Sequence, residues 1–413
     1  MRIFAVGRCL VVAAAVALFP GCGASRSLPG TPETWAANRI GASQQAVPSS
    51  YSVLYRFVKL SGNTPRAGLL NVNGMLYGTA TEGGLYGAGT VFKVSTKAWG
   101  KALYAFHGGS DGQQPSASLI NVNGVMYGTT QHGGGSPNCS LGCGTVFTVT
   151  TDGTEHVLYQ FQGLFDGASP VASLIDVNGT LYGTTSAGGS GFGTVFSLTT
   201  GGVEKVLYSF KGGSDGADPV ASLININGVL YGTTASGGGS ANCDGGCGTI
   251  FSVTTDGVEK VLYGFKGGSD GSDPVASLIN INGVLYGTTA FGGGSANCGN
   301  GCGTVFSVTK NGAEKVLYGF KGTPDGQEPE ASLINMGGTL YGTTEYGSWN
   351  TVGAVFSVTT TGIENVLYVF GGGMDGQFPD ANVIDLHGTL YGTTAGNGTL
   401  NEGSRGTVFA FTP

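Results

Sequence analysis

The chain has 413 residues, of which 79 are glycine and only 10% are charged, and its formal net charge is −7. A negative chain without a basic stripe is a poor partner for nucleic acid or an anionic surface, which argues against both classes of function. The glycine content is typical of a β-rich chain with a turn every few residues, and no helical pattern is present.

Residues 1–22 are predicted to be a targeting segment rather than part of the fold. Arg2 and Arg8 lie at its start, and residues 10–19 form an apolar run. This run is too short to span a bilayer but fits the hydrophobic region of a secretory signal. The segment resembles a bacterial lipoprotein signal with Cys22 at the lipidated position, and an ordinary secreted protein cut nearby is the alternative. Both interpretations place the mature chain outside the cytoplasm.

Residues 23–50 are polar and rich in Ser, Ala, Gly and Pro, which predicts a flexible linker. Loss of the signal removes Cys9, and the odd cysteine among the remaining seven is Cys22, so lipidation there would leave no free thiol. Two thiolates in a secreted loop do not complete a tetrahedral zinc site, so the close pairs are predicted to be disulfides. These pairs are Cys139 with Cys143, Cys243 with Cys247, and Cys298 with Cys302.

From Tyr51 to the C terminus the chain repeats one unit seven times. In the copy that begins near residue 206, four runs rich in Val, Ile, Leu, Tyr, Phe and Thr are bounded by turn residues, which predicts four strands. We name them A (221–226), B (229–234), C (249–254) and D (258–265). Asn227-Gly228 between A and B favours a tight hairpin, and a similar turn joins C to D. The unit is therefore predicted to be an antiparallel meander.

Strand D is apolar on both sides of the pleat, so both faces of each sheet must be covered by neighbouring copies. The first copy begins with a lone D strand at residues 53–57, and the last copy ends after its C strand. If the first strand completes the last copy, the ring closes without a free edge. We therefore predict an all-β fold, a seven-bladed β-propeller over residues 51–413. A linear stack, the alternative, would leave one end a strand short.

The strand directions place the D-to-A and B-to-C loops on one side of the propeller, which we call the loop face. These loops are long and variable, as binding loops on a rigid scaffold are. Aromatic residues there that break the sevenfold symmetry are candidates for stacking on sugar rings or anchoring a protein. They are Tyr86, Phe165, Phe192, Phe291, Tyr346, Trp349 and Phe378. Tyr346 and Trp349 rank first because they share one irregular loop; the alternative is that each ring fills a gap under its own loop.

An Asp-Gly pair precedes a proline in six of the loops, at Asp111, Asp166, Asp215, Asp270, Asp325 and Asp375. The structural interpretation is a turn in which Asp bonds its own backbone. The functional interpretation is that carboxylates near the mouth of the central channel collect a cation over blades 4 to 6, where a second acid precedes the proline. Those pairs are Asp215 with Asp218, Asp270 with Asp273, and Asp325 with Glu328. Calcium takes about six to eight oxygens, so both acids could contribute. No other cofactor is expected.

Catalysis has little support in the sequence. The four histidines fall on unrelated positions, and no Ser, His and Asp arrangement is indicated. We assign no catalytic residue. Carboxylate pairs occur around the ring, however, so a glycosidase or lyase that uses two acids is the alternative.

The unit DGxxPxASLIxxNGxLYGTTxxGG followed by GTVFSVTxxGxEKVLYxF resembles the GloVer tandem repeat of bacterial surface proteins with a choice of anchor. The resemblance covers residues 51–413 and implies attachment to the cell surface, but no particular activity. A fainter similarity to kelch units also implies a propeller.

These observations predict a monomeric, non-catalytic cell-surface or secreted propeller that binds a glycan or an extracellular protein through its loop face. It would touch the membrane only through its lipid anchor. The alternatives are a secreted carbohydrate-active enzyme that uses Asp residues around the central channel, and a purely structural envelope protein.

Overall fold

The computed structural model describes residues 50–347, 352–396 and 405–413. Over this part of the chain, 28 strands form seven four-stranded antiparallel sheets, and each sheet is one blade. The predicted all-β, seven-bladed propeller is confirmed. No helix among the described residues is long and apolar enough to cross a membrane.

Within each blade the strands run from A, nearest the central axis, to D at the outside. The A strands are β2 (Leu70–Val72), β6 (Ile120–Val122), β10 (Ile175–Val177), β14 (Ile224–Ile226), β18 (Ile279–Ile281), β22 (Ile334–Met336) and β26 (Ile384–Leu386). The B strands are β3 (Met75–Ala80), β7 (Val125–Thr130), β11 (Thr180–Thr185), β15 (Val229–Thr234), β19 (Val284–Thr289), β23 (Thr339–Thr344) and β27 (Thr389–Thr394).

The outer half of each blade is formed by strands C and D. The C strands are β4 (Thr90–Ser95), β8 (Thr145–Val149), β12 (Thr194–Thr199), β16 (Thr249–Thr254), β20 (Thr304–Thr309), β24 (Ala354–Thr359) and β28 (Thr407–Thr412). The D strands are β5 (Trp99–Ala105), β9 (Glu155–Gln160), β13 (Glu204–Ser209), β17 (Glu259–Gly264), β21 (Glu314–Gly319), β25 (Glu364–Val369) and β1 (Ser50–Arg56). Single-turn 3₁₀ helices lie at Gly109–Asp111, Gly213–Asp215, Gly268–Asp270 and Gly373–Asp375.

The ring closes as the sequence predicts, because β1 pairs antiparallel with β28 in the last blade. The register runs from Ser50 opposite Thr412 to Arg56 opposite Thr407. Blades 1 to 6 are therefore β2–β5, β6–β9, β10–β13, β14–β17, β18–β21 and β22–β25, and blade 7 is β26–β28 with β1.

Strand A is shorter than predicted, since it begins at Ile224 rather than at residue 221. The preceding residues bond to the next blade instead of to strand B. The Ser222 N–H donates to Oγ of Ser277 at 2.9 Å, and the same serine contact recurs in neighbouring blades. The seven copies converge near the axis. There, hydrogen bonds between neighbouring blades replace the strand-to-strand hydrogen bonds within a blade.

Adjacent blades pack through one repeated aromatic contact. A phenylalanine at the end of strand D lies against the phenylalanine of strand C in the next blade, as Phe210 does on Phe251, with ring centroids 5.0 Å apart and planes at 72°. Such edge-to-face pairs add to the free energy of apolar burial. The other pairs are Phe57–Phe92, Phe106–Phe147, Phe161–Phe196, Phe265–Phe306, Phe320–Phe356 and Phe370–Phe409.

The Leu-Tyr-Gly-Thr-Thr segment of strand B is explained by this contact and by hydrogen bonds. A Cβ at Gly232 would lie 2.7 Å from Cζ of Phe251, so only glycine fits beneath the ring. Thr233 donates its hydroxyl to the carbonyl of Ala276 in the next blade at 3.3 Å, and the Oγ1 of Thr234 lies 2.8 Å from that of Thr249 in strand C. The repeated motif residues therefore build the ring.

We expect Phe57→Ala to lower the free energy of unfolding by about 3–5 kcal/mol, because the side chain is buried and joins β1 to blade 1. Urea denaturation measures the loss. Phe210→Ala, at an interior interface, should cause a similar loss, whereas Val58→Ala, which is 53% exposed, should stay within about 0.5 kcal/mol. A loss at Phe57 no larger than that at Val58 would contradict the packing of β1 against blade 1.

Candidate functional site

Each D-to-A loop reaches the channel through a proline, and the residue before that proline has a left-handed backbone in all seven blades, an unusual conformation for this position. At Asp218 φ is 55°. Its N–H donates to the carbonyl of Phe192 in the preceding blade at 3.2 Å, and its carbonyl accepts from the N–H of Ala235 at 2.9 Å. These are backbone contacts, so the fold leaves the side chain at this position free to vary.

The residues that follow the prolines surround a cavity of about 470 Å³, which we call the channel mouth. In ring order they are Arg66, Ser116, Val171, Val220, Val275, Glu330 and Asp380. Three valines occupy blades 3 to 5, and three charged side chains occupy blades 6, 7 and 1. The mouth therefore has an apolar side and a charged side.

Two carboxylates line this mouth, and four more lie close by on blades 4 to 6, before the prolines or at the end of strand B. They are Asp218, Asp273, Glu328, Glu330, Glu345 and Asp380, and we call them the mouth carboxylates. The corresponding positions of blades 2 and 3 carry no acid. On blade 6, oxygens of Glu328, Glu330 and Glu345 all lie within 4.8 Å of one another. Negative charge is thus concentrated in one sector of an otherwise symmetric ring.

Burial raises the pKa of several of these groups, and their mutual repulsion adds to the shift. Burial and the charge of Glu345 raise the pKa of Glu330 to about 8. Burial and the charge of Asp218 raise the pKa of Asp273 to about 6, and Glu328 is shifted in the same direction, mainly by burial. A carboxyl group of this kind can hold a proton near neutral pH, accept hydrogen bonds from hydroxyls, or bind a cation.

Asp380 has a deeply buried side chain, which is only 4% exposed. Burial raises its pKa to about 7, and the Arg66 guanidinium opposes that shift. Nη1 of Arg66 lies 3.3 Å from Oδ2, an ion pair that lacks hydrogen-bond geometry. Oδ1 has no hydrogen-bond partner among the residues that the structure describes. Arg66 therefore satisfies this carboxylate only in part.

The Asp-Gly aspartates lie elsewhere, because each is bonded within its own loop beside outer strand D. Asp270 accepts from the Tyr263 hydroxyl and from the Lys266 N–H, both at 2.7 Å. Asp215 and Asp325 have equivalent Tyr and Lys partners. The two acids of one loop thus have different neighbours: Asp218, Asp273 and Glu328 belong to the mouth carboxylates, and Asp215, Asp270 and Asp325 belong to turns.

A glutamate from the next blade lies beside five of these Tyr–Asp pairs. Burial is the main cause that raises the pKa of each glutamate to about 7, and the neighbouring aspartate adds to it. One oxygen of each is buried without a hydrogen-bond partner within the described part of the chain. These glutamates are Glu155, Glu204, Glu259, Glu314 and Glu364.

Three of the predicted aromatic residues lie in the same sector as the mouth carboxylates. Tyr346 and Phe378, on blades 6 and 7, contact each other with ring centroids 5.3 Å apart. Phe291 and Asp273 line a separate cavity of about 450 Å³ between the loops of blades 4 and 5. Trp349 lies outside the described residues.

The other predicted aromatic residues lie on blades 1 and 3, where only Phe192 adjoins a mouth carboxylate residue, through the backbone bond to Asp218. Tyr86 is 52% exposed and stacks on His107 at 4.1 Å. Phe192 is 41% exposed, and its ring lies over Gly212, where a Cβ would be 2.8 Å away. Phe165, on blade 3, is 84% exposed. Tyr86 and Phe192 thus contact neighbouring loop residues. This agrees with the alternative that each ring fills a gap under its own loop.

The predicted disulfides are present: Cys139–Cys143, Cys243–Cys247 and Cys298–Cys302. Each bridge lies within the long B-to-C loop and rests on the D-to-A loop of its blade. At Gly267, for example, a Cβ would be 3.1 Å from both sulfurs of the second bridge. The bridges therefore hold the two kinds of loop together on the loop face.

Sequence reasoning missed Arg66, Glu330, Glu345 and Asp380. Their signal was present, because the seven copies carry Val or Ser after the proline in four blades and a charged residue only in blades 1, 6 and 7. Where an acid replaces a small or apolar residue at a repeated position, the substitution departs from the repeat, and the fold does not require it.

The fold and this one-sided loop face define a propeller built from tandem repeats. The chain belongs to the Gloeobacter/Verrucomicrobia repeat family, whose model matches residues 42–245 and 241–413. This confirms the resemblance noted in the sequence. No curated protein sequence matches the chain.

Solved structures with a similar fold include several enzymes. A luciferin-regenerating enzyme is 12% identical, with a TM-score of 0.41, over 88% of this chain and 95% of its own. An ulvan lyase is 11% identical, with a TM-score of 0.43, over 86% and 92%. A gluconolactonase from Xanthomonas campestris is 14% identical, with a TM-score of 0.38, over 65% and 78%. At these levels the similarity extends to the fold alone.

The five strand D glutamates generate a prediction for the pH dependence of stability. Their pKa is about 7 in the folded state and 4.5 as the ordinary value, so the folded state binds their protons more tightly. We expect their contribution to stability to be full below about pH 4.5 and to be lost as the pH rises through about 7. Thermal unfolding between pH 4.5 and 8 measures the decline.

Glu259→Gln, which resembles the protonated acid, should remove part of that decline, roughly 0.5–1 kcal/mol after allowance for solvent screening. Asp256→Asn removes one exposed charge from the same blade and should leave the decline unchanged. If the stability of both variants declines with pH as that of the unmodified protein does, the half-buried strand D glutamates do not control the pH dependence of its stability.

Proposed function

We propose that the protein is an extracytoplasmic, non-catalytic binding module that holds a carbohydrate chain on its loop face. The observation that carries the proposal is that the six mouth carboxylates and three of the predicted aromatic rings lie together on the loops of blades 4 to 7. The repeated residues are used to build the blades, whereas these residues vary from blade to blade.

The chemistry of this sector suits a polyhydroxylated ligand. A carboxylate accepts hydrogen bonds from sugar hydroxyls, and an aromatic ring offers an apolar surface on which a sugar ring can stack. The cavity between blades 4 and 5 combines both, since Asp273 and Phe291 share it with the polar side chains of Asn242, Asp244 and Asn300. Its volume of about 450 Å³ is within the range of ligand sites.

A secreted carbohydrate-active enzyme is the second candidate, and the pKa of Glu330 favours it. A carboxyl group that stays protonated near neutral pH beside other carboxylates has the character of a general acid. An enzyme of this kind would turn over a polysaccharide, and Glu330→Gln would abolish that turnover. A binding module would show no turnover at all.

The location outside the cytoplasm is supported by the three disulfides and by membership of the repeat family. We propose further that residues 1–22 are a lipoprotein signal and that Cys22 carries the lipid. Anchoring through a linker would leave the loop face accessible to glycans.

We expect Phe291→Ala to weaken glycan binding at least tenfold, about 1.4 kcal/mol, because it removes the aromatic surface of the cavity. The full chain, made without lipid through Cys22→Ala, is screened on a glycan array and then titrated with the best ligand. Phe165→Ala removes an exposed ring from blade 3, which has no mouth carboxylate; it is the matched control and should bind normally.

Three outcomes would count against this assignment. Equal losses in Phe291→Ala and Phe165→Ala would place the ligand elsewhere, turnover of the bound polysaccharide would favour the enzyme, and the absence of any saturable ligand would favour a structural envelope protein.

Lipidation is tested separately in the bacterial host. Cys22→Ala should move the protein from the membrane fraction to the soluble fraction and abolish incorporation of labelled palmitate. An unchanged distribution with no label in either protein would indicate an ordinary secreted chain.

A further inference from the structure

The three glutamates of blade 6 come from three points of the loop face: Glu328 and Glu330 flank Pro329, and Glu345 follows β23. Their oxygens lie within 4.8 Å of one another, and the residue of Glu345 is only 6% exposed. We propose that these three carboxylates form a binding site for one divalent cation, for which Ca²⁺ is the best match. The site goes beyond the proposed function and does not depend on it.

Asp380 supplies an independent observation that points to the same ligand. Its side chain is 4% exposed, and Oδ1 has no hydrogen-bond partner among the described residues. A buried carboxylate oxygen without a partner is costly, so native structures usually satisfy it with protein, water or an ion. Asp380 lines the channel mouth beside Glu330. A cation bound by Glu330 would therefore lie at the same mouth as this oxygen.

The charges at the mouth also require a partner. The oxygens of Glu328, Glu330 and Glu345 lie within 4.8 Å of one another, and the half-exposed guanidinium of Arg66 pairs with Asp380. Like charges at such short separations repel strongly where water is partly excluded. A divalent cation among the three glutamates would offset this repulsion.

The donor set selects the type of cation. All three groups are carboxylates, and oxygen donors prefer hard cations, whereas zinc prefers His and Cys. Ca²⁺ accepts about six to eight oxygens in irregular geometry, with carboxylates bound through one or both oxygens. Mg²⁺ requires a near-ideal octahedron and gives up its water reluctantly. The open mouth leaves room for water to complete a calcium sphere.

Comparison among the blades indicates that the fold itself does not need these acids. Blade 5 has Asp273, Val275 and Ala290 at the three positions, and blade 4 has Asp218, Val220 and Ala235. Their strands have the same lengths and register as those of blade 6. Blade 7 shares only the second acid, as Asp380, and has Ala395 at the position of Glu345. Blade 6 alone carries all three acids in the sequence, so the site should be single.

The test uses the full chain with Cys22→Ala, freed of metal with EDTA. Isothermal titration with CaCl₂ is expected to show one site with a dissociation constant of about 10⁻⁴–10⁻³ M, the range of extracellular calcium modules. Millimolar CaCl₂ should raise the midpoint of thermal unfolding, and MgCl₂ should do so less. Glu345→Gln and, independently, Glu330→Gln should weaken Ca²⁺ binding at least tenfold.

Glu314→Gln is the matched control, because it neutralises a half-buried glutamate on blade 5 away from the mouth, and it should bind Ca²⁺ normally. Circular dichroism at the start checks that each variant folds. The proposal is overturned if Ca²⁺ gives neither heat nor a thermal shift, or if Glu314→Gln weakens binding as much as the two mouth variants. Calcium binding without any glycan ligand would refute the proposed function alone, and glycan binding that persists in EDTA without a calcium isotherm would refute this site alone.

Discussion

The contact on which the structure depends is the phenylalanine pair between neighbouring blades. One ring comes from the end of strand D and the other from strand C of the next blade, and seven such pairs form a closed circle. A blade alone would expose its apolar faces to water, so no blade is stable without its neighbours. The pair Phe57–Phe92 joins blade 7 to blade 1, and the pairing of β1 with β28 in blade 7 closes the ring.

This contact explains why the motif residues carry so little functional information. The ring of Phe251 requires glycine at position 232, and the threonines after that glycine join strand B to strand C and to the next blade. Structure therefore accounts for most residues that all seven copies share. Function must be sought where copies differ, and on the loop face the mouth carboxylates occur on blades 4 to 7. The backbone there is held by bonds between blades, so side chains can change without loss of the fold.

The two sets of acids show how position in the blade decides the role of a carboxylate. Asp270 is bound by a tyrosine hydroxyl and a backbone N–H, and it completes a turn beside the outer strand. Asp273, three residues later, lies near the axis, where burial and Asp218 raise its pKa to about 6. The first kind of acid stabilises the loop. The second kind is unfavourable for stability, and such groups are retained where they hold a ligand, a proton or a metal.

The sequence alone determined the number of repeats, the four strands of each unit, the closure by the first strand and the three disulfides. These features follow from local patterns: apolar runs between turn residues, Asn-Gly hairpins and cysteines four residues apart. Only the tertiary structure decided which acids meet. Glu330 and Glu345 are separated by the whole A–B hairpin, and Asp380 and Arg66 belong to other blades, at opposite ends of the chain. Their proximity arises from the curvature that brings seven loops to one axis, and spacing along the chain does not encode that curvature.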